Sequence, residues 1–173
     1  MKRNADGTIQ RYKARLVARG FTQESGVDYI ETFSLVIKYT IIRIIIALAT
    51  IHKWPIRQLD ISNAFLHGFL DKEIYITQPV GFIDKIHPNF VYKLHKSLYG
   101  LKQAPRAWFN RLHPYLIHLG FHSSQVNPSL FIHNSGRNKI YILVYVDDIL
   151  VIGTSTVALD NFITQLGTKF PVR

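Results

Sequence analysis

Apolar residues recur at helical spacing in the second half of the chain. Between residues 105 and 120 they lie three or four positions apart, a pattern that predicts a helix with one buried face. Pro105 near the start and Gly120 after the last apolar position fit the two ends of such a helix. Pro114 lies in the middle, where its ring is expected to kink the helix.

Two further stretches have the length of helices. Residues 40–52 are almost entirely apolar, which predicts a mostly buried helix with Thr40 as a possible N-cap. Residues 156–167 predict a short helix near the end of the sequence.

Shorter apolar runs predict strands. Residues 8–21 alternate roughly between basic and apolar side chains, as a half-exposed strand does, and Gly20 ends the run. The mixture of helices and strands indicates an α+β fold with a largely antiparallel sheet. The other predicted strands are residues 56–61, 74–82, 129–133 and a pair that flanks positions 147 and 148.

The stretch YILVYVDDILVIG, residues 141–153, places two adjacent acids, Asp147 and Asp148, between apolar runs. Ionised carboxylates in an apolar site cost several kcal/mol, roughly, unless cations or hydrogen bonds compensate them. We therefore interpret the two runs as a β-hairpin whose tight turn carries the acids to the rim of the sheet, although that turn contains no glycine.

A third acid, Asp60, ends the strand predicted at 56–61. If that strand neighbours the hairpin, three carboxylates converge at one rim, and such oxygen donors suit Mg²⁺ together with substrate phosphates. Two ions about 3.5–4 Å apart would activate a hydroxyl and stabilise a leaving pyrophosphate. The pattern leaves two other interpretations open: a solvated turn, and the acidic pocket of an aspartyl phosphotransferase.

Composition and charge narrow the class of protein. With 47% hydrophobic and 13% aromatic residues among 173, the chain can bury the core of one ordinary domain. Lysine and arginine outnumber aspartate and glutamate 21 to 11, which favours a polyanionic partner such as nucleic acid but also fits a merely basic surface. The absence of cysteine excludes disulfides and thiolate metal sites. No apolar run reaches the ~18 residues of a membrane span.

Several longer motifs resemble those of one polymerase family. YVDD at 145–148 resembles the catalytic box of reverse transcriptases, QLDISNAFLHG at 58–68 their first aspartate motif, and SLYGLKQAPRAW at 97–108 their intervening motif. RYKARLVARGFTQ at 11–23 and GVDYIETFS at 26–34 precede them in the family's order. Nearly the whole sequence therefore resembles the Ty1/copia class of retrotransposon reverse transcriptases.

The resemblance implies the fold of a right-hand polymerase. Its fingers would comprise about residues 1–40, and its palm about residues 41–173, built on a mainly antiparallel sheet flanked by helices. The family's thumb is expected after residue 173, as are ribonuclease H, integrase, protease and capsid regions elsewhere in the same precursor. We therefore expect a fragment of a Pol polyprotein, truncated before the thumb.

The resemblance also implies the catalytic residues. Asp60 and Asp147 would ligate two Mg²⁺ ions, with Mn²⁺ as a substitute, while Asp148 supports them and the Ile61 carbonyl serves as a further ligand. Phe65 matches a steric gate that abuts C2′ of the incoming sugar. Its alternative interpretation is a plain core aromatic.

Other positions are expected to contact the nucleotide or the nucleic acid. Lys13 and Arg15 match basic finger residues that hold the triphosphate, without indicating which of the two does so. Tyr99 and Gly100 lie where the family packs a side chain and an open backbone against nucleotide and template. Trp108 is expected in the core. The expected phosphate contacts are Lys102, Gln103 and Arg106.

The implied function is that of an RNA-directed DNA polymerase, which adds deoxynucleoside triphosphates to a primer 3′ end on an RNA or DNA template. Its partners would be the primed template and the rest of the Pol polyprotein, with no membrane, and the family implies a cytoplasmic virus-like particle. The family usually has proline where this chain has Leu35, Tyr39 and Val80, and an uninterrupted helix at Pro114. These departures keep a second hypothesis open: a degenerate remnant that binds nucleic acid without catalysis.

Overall fold

The computed structural model describes residues 2–12, 14–136 and 138–173. The helices of these residues are α1 (Tyr39–Ile51), α2 (Ala104–His118) and α3 (Thr156–Lys169). Short 3₁₀ turns lie at Gly20–Thr22 and Ala64–His67. The strands are β1 (Lys2–Arg3), β2 (Ile9–Arg11), β3 (Ile56–Asp60), β4 (Phe69–Thr77), β5 (Val91–Lys96), β6 (His122–Ser123), β7 (Leu130–Ser135), β8 (Asn138–Tyr145) and β9 (Asp148–Gly153).

Five strands form the central sheet, in the order β3-β9-β8-β7-β6, with every neighbouring pair antiparallel. Strands β1 and β2 form a separate two-stranded ribbon, as do β4 and β5. The expected α+β fold with antiparallel sheets is confirmed. Strand β3 lies beside β9, so the strand that ends at Asp60 is a direct neighbour of the acidic hairpin.

Helices cover both faces of the sheet because successive strand residues point to opposite sides and both sets are apolar. On one face, Leu143 and Ile152 pack against Ile45 and Ala49 of α1. The other face packs against α2 and α3. The fully buried members of this second cluster include Ile142, Ile149, Val151, Trp108, Leu112, Leu116, Leu159 and Leu166. The sheet edge that carries the acids is therefore supported from both sides.

Helix α2 ends as the sequence predicts. Gly120 has a φ of +86°, a conformation that suits glycine because it lacks a Cβ. Its N–H donates to the Ile117 carbonyl, and the Phe121 N–H donates to the Leu116 carbonyl, which together form a Schellman motif. The helix continues for about one turn beyond Pro114, so this proline does not interrupt it.

Helix α1 confirms the predicted element, but the prediction that it is mostly buried was wrong. Only Ile45 and Ala49 are buried, and Ile44 and Ile51 are more than half exposed, because the helix covers the sheet with one face only. Its predicted cap was wrong as well. The N-cap residue is Lys38, no side chain caps the helix, and Thr40 lies inside the first turn, so the prediction of Thr40 as N-cap was wrong. Among the described residues, no helix is both long and apolar enough to span a bilayer.

The strand predicted at residues 8–21 was largely wrong. Of the described residues in this range, only Ile9–Arg11 form a strand, while residue 12 and residues 14–19 have no regular secondary structure before the 3₁₀ turn at Gly20. The Ala18 N–H donates to the Tyr99 carbonyl at 2.7 Å, so this segment pairs with a loop and not with a sheet. The predicted strand at 74–82 lies at Phe69–Thr77, and its partner β5 had not been predicted.

Candidate active site

A tight turn with one strained residue carries Asp147, while Asp148 begins strand β9, so the prediction that the turn itself carries both acids was wrong for Asp148. Tyr145 is paired with Asp148, so Val146 and Asp147 form a two-residue hairpin turn, which confirms the predicted hairpin. Val146 has a φ of +59°, in the turn position where glycine is usual. A β-branched residue in that conformation is strained and needs support from its surroundings.

The strand register brings Asp60 to the same edge of the sheet. Asp60 lies directly opposite Asp148, and residues opposite each other in an antiparallel pair have β carbons about 4.5–5.5 Å apart on one face. The Ile61 N–H donates to the Asp147 carbonyl at 3.1 Å, which ties the end of β3 to the turn. Three carboxylate-bearing residues therefore lie together at this edge.

Two of the three acids line one open cavity of ≈ 380 Å³. Asp60 and Asp147 face it together with Arg15 and Tyr99. The remaining lining residues are Tyr12, Ala14, Ile61, Ser62, Asn63 and Arg173.

Asp148 lies beside this cavity without lining it. One carboxylate oxygen accepts a hydrogen bond from Gln58 Nε2 at 3.4 Å, on the face of the sheet that α1 covers. In the described part of the chain, no lysine or arginine forms an ion pair with Asp60, Asp147 or Asp148. Unpaired carboxylates that share a cavity favour the binding of a cation there.

The donor set fits a metal ion that is completed by a substrate. Within the described ranges, no three His, Cys, Asp or Glu side chains are grouped closely enough to hold a metal by themselves. Mg²⁺, however, is usually bound by one or two carboxylates together with substrate phosphates and water. The carboxylates of Asp60 and Asp147 supply that number of protein ligands, and the open cavity leaves room for the others.

Aromatic and basic side chains form the wall beside the acids. The guanidinium carbon of Arg15 lies 5.0 Å from the centre of the Tyr99 ring, and the half-buried ring of Phe65 meets Tyr99 edge-on at 4.7 Å. Burial and the nearby charge of Asp147 raise the pKa of Tyr99 above its usual value of 10.0, against the opposing charge of Arg15. The ionisation of the Tyr99 phenol is therefore influenced by the nearby carboxylates. Lys13, predicted beside Arg15, lies outside the described residues.

Gly100 packs against the N-terminal segment. It has a φ of +91°, and a Cβ built on it would lie 2.1 Å from the Ala18 carbonyl oxygen. A Cβ on Gly20 would in turn lie 1.8 Å from the Gly100 carbonyl oxygen. The two glycines allow the backbones to touch, which fixes the segment that carries Arg15.

This contact gives a test of the site's assembly. Gly100→Ala should lower the free energy of opening at the Ala18 amide by about 2–4 kcal/mol, because it adds both backbone strain and a clash. Hydrogen exchange at that amide measures the change. Gly81→Ala is the matched control, because Gly81 has a φ of +87° and no atom within 4 Å of the added Cβ. Equal protection of Ala18 in the two variants would contradict the contact.

The three predicted phosphate contacts have partners within the protein. The Lys102 ammonium donates to the Gln23 carbonyl at 3.0 Å, and the Gln103 side chain is hydrogen-bonded to that of Gln23 at 3.0 Å. Arg106 forms an ion pair with Glu31 at 2.7 Å. These bonds hold residues 23–31 against the start of α2, and contact with nucleic acid stays a prediction for all three.

A comparison with known families shows which family the chain belongs to. Residues 1–173 match the family described as reverse transcriptase (RNA-dependent DNA polymerase). The chain belongs to this family.

Curated relatives agree with that assignment. The retrovirus-related Pol polyproteins from transposons RE1 and RE2 of Arabidopsis thaliana are each 54% identical over 172 residues, 99% of this reverse transcriptase chain. The one from transposon TNT 1-94 of Nicotiana tabacum is 44% identical over 174 residues, 100% of the chain. The chain spans 12% of the length of the first two relatives and 13% of the third. No solved structure matches it.

Sequence reasoning missed two features of the candidate site in this reverse transcriptase chain. Trp108 is buried as expected, but its indole Nε1–H also donates to the Val146 carbonyl in the acidic turn, at 2.8 Å. Arg173 lines the cavity because its backbone pairs with that of Asp60, through bonds of 2.9 and 3.1 Å. Neither contact has a local sequence signal, since each joins residues far apart in the chain.

Proposed function

We propose that the chain is the nucleotide-adding part of an RNA-directed DNA polymerase within a retrotransposon Pol polyprotein. It would extend a primer 3′ end with deoxynucleoside triphosphates on an RNA or DNA template. The observation that carries this proposal is that Asp60 and Asp147, from separate motifs, line one cavity together with Arg15 and Tyr99. An aspartyl phosphotransferase would not explain the family membership.

The carboxylates of Asp60 and Asp147 are the proposed ligands of two Mg²⁺ ions, with the Ile61 carbonyl as a further donor. When bound, the ions would activate the primer hydroxyl and stabilise the pyrophosphate that leaves as the new ester bond forms. Asp148, held by Gln58, adds negative charge at the same edge without facing the cavity. Its proposed role is therefore to support the two ligands electrostatically.

Arg15 is the proposed contact for the triphosphate. It lies over the Tyr99 ring at the cavity, where its fixed positive charge would offset the charge that develops on the leaving phosphates. Lys13 remains a candidate for the same task.

Phe65 and Tyr99 are the proposed boundary of the nucleotide site, against which the sugar and base of the incoming nucleotide would pack. Their edge-on contact at 4.7 Å fixes the position of both rings. Gly100 follows Tyr99 directly, so this boundary is joined to the N-terminal segment through the glycine contact described above.

The proposed division into fingers and palm follows the packing. Within residues 1 to about 40, Ala18 packs on Gly100, and residues 23–31 are held at the start of α2, while residues from about 41 supply the central sheet and its helices. Lys102, Gln103 and Arg106 join the two parts through their internal bonds. We propose that these three side chains contact template phosphates only through N–H donors that are not engaged in the internal bonds.

Primer extension by the chain itself tests the function. A labelled primer on an RNA template, with all four deoxynucleoside triphosphates, should be extended in Mg²⁺ or Mn²⁺ and not in excess chelator. Extension that persists without divalent metal would contradict the two-metal mechanism. No extension in either metal, together with salt-sensitive binding of the primed template, would support a nucleic-acid-binding remnant instead.

A further inference from the structure

The turn that carries Asp147 lacks the glycine that its conformation would suit. Val146 has a φ of +59°, which costs a β-branched residue about 1–3 kcal/mol and persists only where the surroundings impose it. The turn therefore needs a specific support. In the described structure, that support includes one side chain from outside the hairpin, Trp108.

Trp108 reaches the turn from α2, on the face of the sheet opposite α1. Its side chain is 1% exposed, and its indole Nε1–H donates to the Val146 carbonyl at 2.8 Å. The carbonyl of Val146 and the N–H of Asp147 belong to one planar peptide unit. Fixing that carbonyl therefore fixes the peptide plane from which the Asp147 side chain projects.

The rings around Trp108 extend the same support to the loop after Asp60. The Phe170 ring meets the indole edge-on, with 5.0 Å between the ring centres, and the centre of the His67 ring lies 5.9 Å from that of the indole. The His67 Nε2 is in turn 3.2 Å from the Ser62 carbonyl, two residues after Asp60. One aromatic cluster thus contacts the loops of both proposed metal ligands.

We propose that Trp108 is a positioning residue: its indole N–H holds the strained Val146 turn in the conformation that directs Asp147 into the cavity. The support of the turn by Trp108 is inferred from the hydrogen bond and the φ of Val146 alone. The consequence for metal binding rests on the proposed function. A residue that only filled the core would not need the N–H, because a buried polar group is costly unless it is bonded.

The test separates the N–H from the bulk of the ring. Trp108→Phe removes the donor and keeps an aromatic ring, while Phe170→Leu disturbs the same cluster and keeps the donor. Val146→Gly removes the strain that the donor offsets, because glycine adopts a positive φ readily. The double variant Trp108→Phe/Val146→Gly then asks whether the two residues act through each other.

Two measurements are made on each folded variant: the amide chemical shifts of residues 146–148, and the affinity for Mn²⁺ in the presence of a deoxynucleoside triphosphate. Trp108→Phe should change the amide chemical shifts. It should also weaken Mn²⁺ binding about tenfold, as the loss of a residue that orients a metal ligand typically does. Phe170→Leu keeps the indole donor and should therefore change both quantities much less than Trp108→Phe does. In the Val146→Gly background, Trp108→Phe should weaken binding by much less than tenfold.

The outcomes distinguish this proposal from the proposed function. Unchanged amide shifts in Trp108→Phe, or equal changes in Trp108→Phe and Phe170→Leu, would overturn the positioning role. If the wild-type chain binds no Mn²⁺, the proposed function fails, and the amide shifts of residues 146–148, compared between the single and the double variants, still decide whether Trp108 holds the turn. In the wild type, slow exchange of the Trp108 indole proton, compared with that of Trp54, would support the hydrogen bond.

Discussion

Asp147→Asn should reduce primer extension by at least about 10³-fold. Removing a residue that hydrogen-bonds to a metal ligand typically lowers metal affinity or activity roughly 10- to 100-fold. Asp147 is proposed as a ligand itself, so the loss should be larger. Asparagine keeps the size of the side chain and removes the charge, so the turn and the cavity should survive. Single-turnover extension of a labelled primer in Mg²⁺ measures the loss.

The control for this prediction is Asp160→Asn on α3, an exposed residue remote from the cavity. It should leave extension unchanged. A second readout does not depend on activity. Burial and, after it, the charge of Asp147 raise the pKa of Tyr99, so Asp147→Asn should lower that pKa while the contribution of burial remains. NMR titration of the ring carbons of labelled tyrosine follows it. Extension near the wild-type rate in Asp147→Asn would remove Asp147 from the chemistry.

Phe65→Ala should admit ribonucleotides. If the Phe65 ring abuts C2′ of the sugar, a ribose hydroxyl has to displace a packed side chain, which costs about 1–3 kcal/mol, or roughly 10- to 100-fold in selectivity. Alanine removes that clash. The ratio of deoxynucleotide to ribonucleotide incorporation should therefore fall by up to about 10²-fold. This ratio is measured within one preparation, so any loss of folded protein cancels.

Phe69→Ala controls for the removal of an aromatic ring. Phe69 lies on β4, is 52% exposed and contacts Arg111, away from Tyr99. It should leave the incorporation ratio unchanged. If Phe65→Ala lowers stability while the ratio stays at its wild-type value, Phe65 is only a core aromatic that supports Tyr99.

The sequence predicted the elements whose signals are local. Helix α2 carries its own apolar spacing and its C-terminal glycine. The apolar run of β8 ends just before the acids, and that of β9 follows them. The hairpin was predicted although its turn lacks glycine, because apolar runs on both sides of two charges leave few other arrangements. The hydrogen bond from Trp108 to the Val146 carbonyl is the proposed support for valine in that position.

The features that escaped prediction depend on contacts between distant residues. The basic alternation of residues 8–21 suggests a strand, but the segment packs on the loop at Tyr99 and Gly100, which no local pattern reveals. The resemblance to the family placed Lys102 and Arg106 in contact with phosphates, which nothing in the structure tests. Their partners, at Gln23 and Glu31, lie more than seventy positions away in the sequence.

The central claim is that Asp60 and Asp147 hold divalent metal together. A crystal structure of the chain grown with Mn²⁺, a primed template and a non-hydrolysable deoxynucleotide tests it most directly. The anomalous signal of manganese distinguishes the bound ion from water and from lighter ions. The account predicts a peak at coordination distance, about 2.0–2.5 Å, from carboxylate oxygens of both residues. Manganese bound elsewhere, or bound to only one of these two carboxylates, would contradict it.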